Sequence, residues 1–343
     1  MKFGYHSGYW SAKPPTGVEG LVAEAERLGF DSLWTAEAYG SDAVAPLAWW
    51  GARTERLRLG TGIMQMSART PTATAMTALT LDHLSGGRFV LGLGASGPQV
   101  VEGWYGLPYP KPLARTREYV DIVRSVIARE SPVEYAGEHY RLPFPGGTGL
   151  GKPLKSTLHP LRREIPILLA AEGPKNVALA GEIADGWLPF FFSPRSDAYY
   201  KERLEEGFRL RAADRSPKED FEVLVSAPIV LDDDLERGID KLRPLIALYV
   251  GGMGAKGANF HADVVARMGY EADVEKIQNL YLGGHKKDAI AAVPAALVQD
   301  VALVGGKDKI RDDLAAWDET VVTTMLVRDE DPRVLRTIAE LMD

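Results

Sequence analysis

An α/β fold, and within that class a (β/α)8 barrel, is what this sequence predicts. Strand-like and helix-like segments alternate along the chain, with eight strands in all. Most of the strands are unbroken apolar runs, the pattern of strands buried on both faces in a parallel sheet. The length, 343 residues, suits one barrel with elaborated loops, so a single domain over 1–343 is expected.

The first strand reads as Phe3–Ser7. Apolar residues at Val18, Leu21, Val22, Ala25 and Leu28 mark the first helix, and Gly29 stops it where a left-handed cap costs little. Asp31–Thr35 is the second strand and Val44–Arg53 the second helix. Leu57–Ile63 follows as the third strand, then a helix over Thr72–Leu84, with Pro71 at its start, where a missing N–H does no harm. Phe89–Leu93 is the fourth strand, and after an irregular stretch its helix spans Leu113–Ala128. Ile165–Ala171 precedes a helix through Asn176–Ile183, and Gly186–Phe192 precedes one across Asp197–Ala212. Phe221–Leu231 is the seventh strand and Val321–Val327 the eighth. The closing helix, Pro332–Met342, is capped by Asp331.

Two stretches exceed the minimal barrel. Residues 134–163 open with a hairpin-like segment, Glu134–Leu142, and continue through Pro143–Arg163, rich in Gly, Pro and Lys. Residues 232–320 carry helical patterns around Ile239–Leu248, Ala262–Met268 and Ile290–Leu297. Insertions of this kind elaborate the catalytic rim or pack outside the barrel.

Composition narrows the function. Lys and Arg number 40 against 47 Asp and Glu, a net charge of −7, which argues against a nucleic-acid surface because phosphate binding needs clustered cations. The absence of cysteine excludes disulfides, thiolate metal sites, iron–sulfur clusters and a cysteine nucleophile, and it fits a cytoplasmic location. No apolar run approaches the ~18 residues of a membrane span. The first residues read as a strand, without an export signal. The histidines show no metal-ligand spacing, so no metal site is expected.

The candidate site residues lie where strands end. Gly92-Leu93-Gly94-Ala95-Ser96-Gly97 satisfies G-x-G-x-x-G, but it follows the fourth strand and no small-residue helix comes after it, which counts against a Rossmann dinucleotide site. Gly94, Ala95, Ser96 and Gly97 instead read as a loop that lets backbone approach a ligand at the barrel mouth, or that simply turns the chain. Gly62 and Ile63, ending the third strand, suggest a bulge or a close backbone–ligand approach. Ala171-Glu172-Gly173-Pro174 joins the fifth strand to its helix, and free N–H groups there would suit an anion, with Lys175 adding charge; an ordinary βα loop reads the same way. Glu37, just past the second strand, reads either as a site acid or as a surface carboxylate. His6, ending the first strand among Tyr5, Tyr9 and Trp10, is a candidate proton donor or a structural histidine. The basic stretch from Gly149 to Arg163 is a candidate lid over an anionic tail, or a solvated charge run.

Longer runs then match a known family. Leu59-Gly60-Thr61-Gly62-Ile63, Thr70-Pro71 and the run from Leu81 to Gly94 resemble the luciferase-like flavin/deazaflavin superfamily, and Ala180–Trp187 resembles its sixth-strand signature, which adds Gly186 as a candidate cofactor contact. The runs from Ser96 to Trp104, Gly137 to Tyr140 and Ala171 to Val177 resemble its actinobacterial branch dependent on coenzyme F420, similar to methylenetetrahydromethanopterin reductase and to the F420-dependent glucose-6-phosphate dehydrogenase.

The resemblance implies a deazaflavin across the C-terminal mouth. It implies a non-prolyl cis peptide in the third-strand bulge, here at Gly62–Ile63, and Gly94–Gly97 along the ring and ribityl chain. Glu37 falls where an acid contacts the cofactor. The Ala171–Pro174 turn would present N–H groups to the ring edge or a phosphate.

In the glucose-6-phosphate enzyme a glutamate proton donor and a histidine occupy positions that match Gly97 and Ala38 here, so its reaction on a sugar lactol is not expected and His6 and Glu37 stand in as candidates for the acid or base. The expected activity is hydride transfer between the deazaflavin C5 and an organic substrate, with Tyr5, Tyr9, Trp10, Trp104, Trp187 and Phe190–Phe192 as candidates for an aromatic substrate side. The alternatives are an FMN-dependent monooxygenase of the luciferase or alkanesulfonate type, and a barrel that binds a flavin-like ligand without turnover. A homodimer is expected, with Trp49 and Trp50 as candidate interface residues.

Overall fold

The computed structural model describes every residue except Asp214, Ala255 and Asp343. Eight parallel strands close into a barrel: Lys2–His6, Ser32–Thr35, Arg58–Thr61 with its continuation Met64–Gln65, Phe89–Gly94, Ile167–Ala170, Gly186–Leu188, Glu222–Val225 and Thr324–Val327. Closure is direct, because the first strand pairs with both the second (Gly4 with Ser32) and the eighth (Lys2 with Thr324).

The interior is a packed plug of Trp34, Val90, Leu168, Leu188, Leu224 and Leu326, with Ile63 and Ala170 at its upper edge. Glycine at position 60 makes room for the largest of these, since a Cβ there would lie 2.3 Å from the Trp34 ring. Below the plug, Arg58 donates both guanidinium arms to Glu222 at 2.8 Å, joining the start of the third strand to the start of the seventh. The remaining opening is at the C-terminal ends of the strands, where barrel enzymes carry their sites.

Prolines end two of the expected strands early. The sixth ends at Leu188 rather than Phe192, because Pro189 has no N–H to donate. The expected seventh strand is two: Glu222–Val225 belongs to the barrel, and beyond Pro228 the segment Ile229–Leu231 leaves it to pair with Leu303–Gly305. The sequence patterns within 232–320 do not mark that second partner or the helix Lys307–Asp318, and the irregular-looking stretch after the fourth strand hides the short helix Pro98–Gly103. The rest of this insertion is helical, led by Leu235–Gly252 and Glu271–Leu282, and it builds its own apolar core around Ile239, Ile246, Val250 and Ile277, which reaches the barrel through Phe191.

The other insertion opens with the expected hairpin, Tyr135–Ala136 against Arg141–Leu142. Its basic part is not a lid. Arg162 grips buried Asp82 at 2.7 Å, Lys155 donates to Glu130 O, and Arg129 reaches back to Ser156 O, all near the N-terminal ends of the strands. Because the mouth is at the other end, this segment is a strap across the barrel's base. Among the described residues no helix is long and apolar enough to cross a membrane.

Candidate active site

The mouth is organised by a bulge. Gly60 pairs with Val90 and Met64 with Leu93, so the third strand spends four steps where the fourth spends three, and one residue is extra. The extra length falls at Gly62 and Ile63, whose peptide is cis, as the family resemblance implied. Neighbours hold three of the four backbone polar groups of the bulge. Gly62 N–H donates to Thr35 O at 2.7 Å, Ile63 O accepts from Glu37 N–H at 3.2 Å, and His6 Nε2 lies 3.1 Å from Gly62 O. The Ile63 side chain projects, half-buried, over the barrel axis and rests against Gly94 and Ala170.

The glycines of the fourth strand serve this bulge. A Cβ on Gly92 would lie 1.8 Å from Thr61 O, and one on Gly94 would lie 2.6 Å from Ile63 Cδ1. The spacing that resembles a dinucleotide fingerprint is thus, at Gly92 and Gly94, the imprint of the neighbouring strand. Beyond it, Ala95, Ser96 and Gly97 are half-buried at the rim. Ser96 adopts a left-handed backbone (φ 59°), its carbonyl held by Tyr109 Oη at 2.8 Å, and Gly97 starts the helix Pro98–Gly103 without a side-chain cap. A narrow crevice with room for about one water molecule lies beside this loop, lined by Met66, Ser67, Ala95, Tyr109, Arg115 and Thr116.

Both titratable candidates are fully engaged. His6 accepts the Gly8 N–H at Nδ1 (2.9 Å), which leaves Nε2–H to donate to Gly62 O. Burial, with a smaller effect from the Arg328 charge, holds its pKa down to about 4, so the ring stays neutral at physiological pH. Glu37 is buried and accepts four hydrogen bonds: from Arg69 Nη1 (2.6 Å) and Nη2 (3.1 Å), from Gln65 N–H (2.7 Å) and from Ala43 N–H (3.1 Å). It pins the loop after the second strand to the end of the third. Arg69 also reaches Asp42, whose Oδ1 caps the second helix at Val44 and Ala45. Sequence reading passed over Arg69, although it lies one residue before the quoted Thr70-Pro71.

On the far side of the mouth, Ala171 is buried with its carbonyl held by Trp187 Nε1 at 2.8 Å. Gly173 starts the helix Pro174–Ile183 with no side-chain cap, and a Cβ on it would meet nothing within 4 Å. Of the N–H groups that follow, Asn176 and Val177 bond back to Gly173 O at 3.0 and 2.9 Å, and Lys175 is exposed at the helix start. Glu172 turns toward the insertion and meets His261, a residue no sequence signal singled out. Gly186 is the misplaced candidate. It opens the sixth strand, at the end away from the mouth, and its bare Cα makes room for Glu222 O, 2.5 Å from where a Cβ would sit. Of the aromatic candidates, Tyr5, Trp187 and Phe192 are core; Tyr9, Trp10 and Phe190 are half-buried near the mouth; Trp104 is exposed.

The fold and the site thus define a parallel (β/α)8 barrel with a bulged third strand and a loop-built mouth. The family model of luciferase-like monooxygenases matches residues 2–324, and the chain belongs to that family. A Mycobacterium tuberculosis H37Rv protein provisionally named a coenzyme F420-dependent oxidoreductase, Rv3520c, is 57% identical over 100% of this chain and 99% of its own. The 5,10-methylenetetrahydromethanopterin reductase of Archaeoglobus fulgidus is 28% identical over 90% of this chain and 88% of its own. Among solved structures, the coenzyme F420-dependent tetrahydromethanopterin reductase of Methanopyrus kandleri superposes with a TM-score of 0.80 at 24% identity, covering 99% of this chain and 97% of its own. An F420-dependent secondary alcohol dehydrogenase gives 0.78 at 18% identity, covering 99% and 97%.

Proposed function

We propose that this protein is a coenzyme F420-dependent oxidoreductase that moves a hydride between the deazaflavin C5 and an organic substrate. The observation that carries the reading is the full-length, 57% identical relative named for that cofactor. The mouth supports it in chemical terms. Ile63 offers an apolar platform at the barrel axis, and Ala95, Ser96 and Gly97 at the rim beside it carry no bulky side chain.

Gly62, Ile63, Gly94, Ala95, Ser96 and Gly97 would back the ring and its ribityl chain, and the uncapped helix start at Gly173–Pro174 would take the anionic tail. When bound, the deazaflavin supplies the hydride or accepts it. The protein's share is to orient the reactants, exclude water and support developing charge. His6, Glu37 and Arg69 act as positioning residues: His6 holds the bulge carbonyl, and the carboxylate–guanidinium pair holds the loop that abuts it.

Fluorescence titration of the purified protein with F420 and, separately, with FMN tests the reading. F420 binding with weak or no FMN binding is the expected result. Tight FMN binding without F420 binding would transfer the protein to the monooxygenases. Reduced F420 screened against enones, imines, ketones and folate-like compounds, following its reoxidation, identifies the acceptor; F420 binding without turnover of any would favour a carrier.

A homodimer is part of the same proposal, and sizing chromatography checks it. Trp50 is buried against Trp10, with ring centroids 6.4 Å apart, so Trp49, exposed beneath Arg53, is the remaining interface candidate.

A further inference from the structure

We propose that His261, held by Glu172, is the residue that gives and takes the substrate proton; the inference rests on the hydride-transfer reading above. Both groups expected from sequence to do this are committed elsewhere, His6 to the bulge and Glu37 to Arg69. The pair Glu172–His261 is not.

Glu172 leaves the fifth strand at the mouth, its carbonyl fixed by Arg267 Nη2 at 2.8 Å. Its Oε1 lies 2.8 Å from His261 Nδ1, with the ring turned off the line of a hydrogen bond, and its buried Oε2 has no partner among the described residues. A buried carboxylate oxygen left in this state calls for a partner.

His261 is placed with care. Asn259 accepts from the His261 and Ala262 N–H groups at 3.1 Å, starting the helix Phe260–Val265, and its amide donates to Tyr249 O and Val250 O at 2.9 Å. Phe190 and Tyr249 flank the imidazole, with centroids 5.0 and 4.9 Å away. Nδ1, beside the carboxylate, is likewise buried without a hydrogen-bond partner, while Nε2 makes no hydrogen bond and is not among the buried unpartnered atoms, so it is the more open end of the ring.

The other charged or titratable groups facing the pair are Tyr249, Tyr9, Tyr200, Arg267 and Arg328. Tyr249 shares a 3.0 Å hydrogen bond with Tyr9, whose ring lies under Arg328. Burial raises Tyr249 well above the ordinary phenol range, and Tyr200 upward in the same way, so neither releases a proton near neutrality. Imidazole is then the group suited to exchange one there.

The deazaflavin, when bound, would supply the hydride that forms a C–H bond at an unsaturated substrate carbon, and the former π pair would be left on the neighbouring atom. That atom takes the proton from Nε2 as the N–H bond breaks, and the imidazole is left neutral. In the opposite direction the neutral ring accepts the proton. Glu172 steadies the protonated ring and acts as a positioning residue.

Three measurements decide the matter. First, diethyl pyrocarbonate modification read residue by residue by mass spectrometry should find His261 reactive in the free protein and His6 inert. Saturating F420 should slow His261 by about tenfold or more while leaving exposed His285 unchanged; reactivity indifferent to bound F420 would overturn the proposal. Second, Glu172→Gln should lower the His261 rate by about fivefold, because the ring loses the carboxylate that fixes its orientation; an unchanged rate removes Glu172 from the proposal. Third, with the acceptor found in the screen above, His261→Gln should lower kcat about 100-fold with F420 affinity within about twofold; kcat within about threefold of the parent would remove the catalytic role. F420 binding, followed by fluorescence in the same samples, separates failure of this inference from failure of the cofactor reading, and modification of the unaltered protein decides it even if a variant misfolds.

Discussion

His6 fastens the first strand to the third: its Nδ1 accepts the Gly8 N–H at 2.9 Å and its Nε2 lies 3.1 Å from Gly62 O. One neutral ring thereby sets the height of the bulge on which the proposed cofactor would rest.

Acid should loosen this coupling within a defined window. The unfolded imidazole takes up a proton as pH falls through 6.5, whereas the folded one resists until about 4. The unfolded state therefore binds more protons between those values, and stability falls as pH drops across the window, levelling off below it. A gap of that size corresponds to about 3 kcal/mol. His6→Gln keeps an amide donor for Gly62 O and does not titrate. Urea unfolding at pH 7 and pH 4.5 should show a smaller acid loss in this variant than in the parent, and equal losses would contradict the assignment.

Breaking the Glu37–Arg69 pair should be costly. Arg69→Met strands a buried carboxylate and should reduce stability by about 3–5 kcal/mol. The double variant Glu37→Gln/Arg69→Met removes the stranded charge and should recover part of that loss. Denaturant melts of the two variants check the ordering.

Gly94→Ala should separate folding from binding. The added methyl, 2.6 Å from Ile63 Cδ1, must push the isoleucine from its seat, at about 1–3 kcal/mol. A thermal melt should still show one cooperative transition, while the F420 dissociation constant rises about tenfold, the equivalent of about 1.4 kcal/mol. Unchanged affinity would mean that the ring does not rest against Ile63.

Arg162→Gln tests the strap at the barrel's base. Asp82 is 1% exposed, and Arg162 bonds both of its carboxylate oxygens. Losing the charged partner should destabilise the protein by about 3 kcal/mol. F420 affinity should stay within about twofold of the parent, because the strap lies at the end opposite the mouth. A large loss of affinity at unchanged stability would restore the lid reading.

Much of the barrel was legible in the sequence because local patterns and global fold agree. Apolar runs such as Phe89–Leu93 and helix punctuation such as Pro71 report burial and capping chemistry, which depend on near neighbours in the chain. The strand ends were less legible: Pro189 and Pro228 stop pairing, but an apolar run that continues past them still looks like strand. The roles of the candidate site residues were least legible. Glu37 looked like a free acid because its partner, Arg69, is remote in sequence, and Gly186 looked like a mouth residue because a signature does not say which end of a strand it occupies.

By itself the sequence determined the barrel class, the absence of cysteine chemistry, the family resemblance and the position of the bulge, all of which follow from composition, periodicity and short motifs. Only the tertiary structure decided that His6 and Glu37 are fully hydrogen-bonded supports, that Gly92 and Gly94 yield space to Thr61 and Ile63, and that Glu172 meets His261. The reason is physical: a side chain is free to do chemistry only when no other group already uses its polar atoms, and those groups are brought close by strands and loops far apart along the chain.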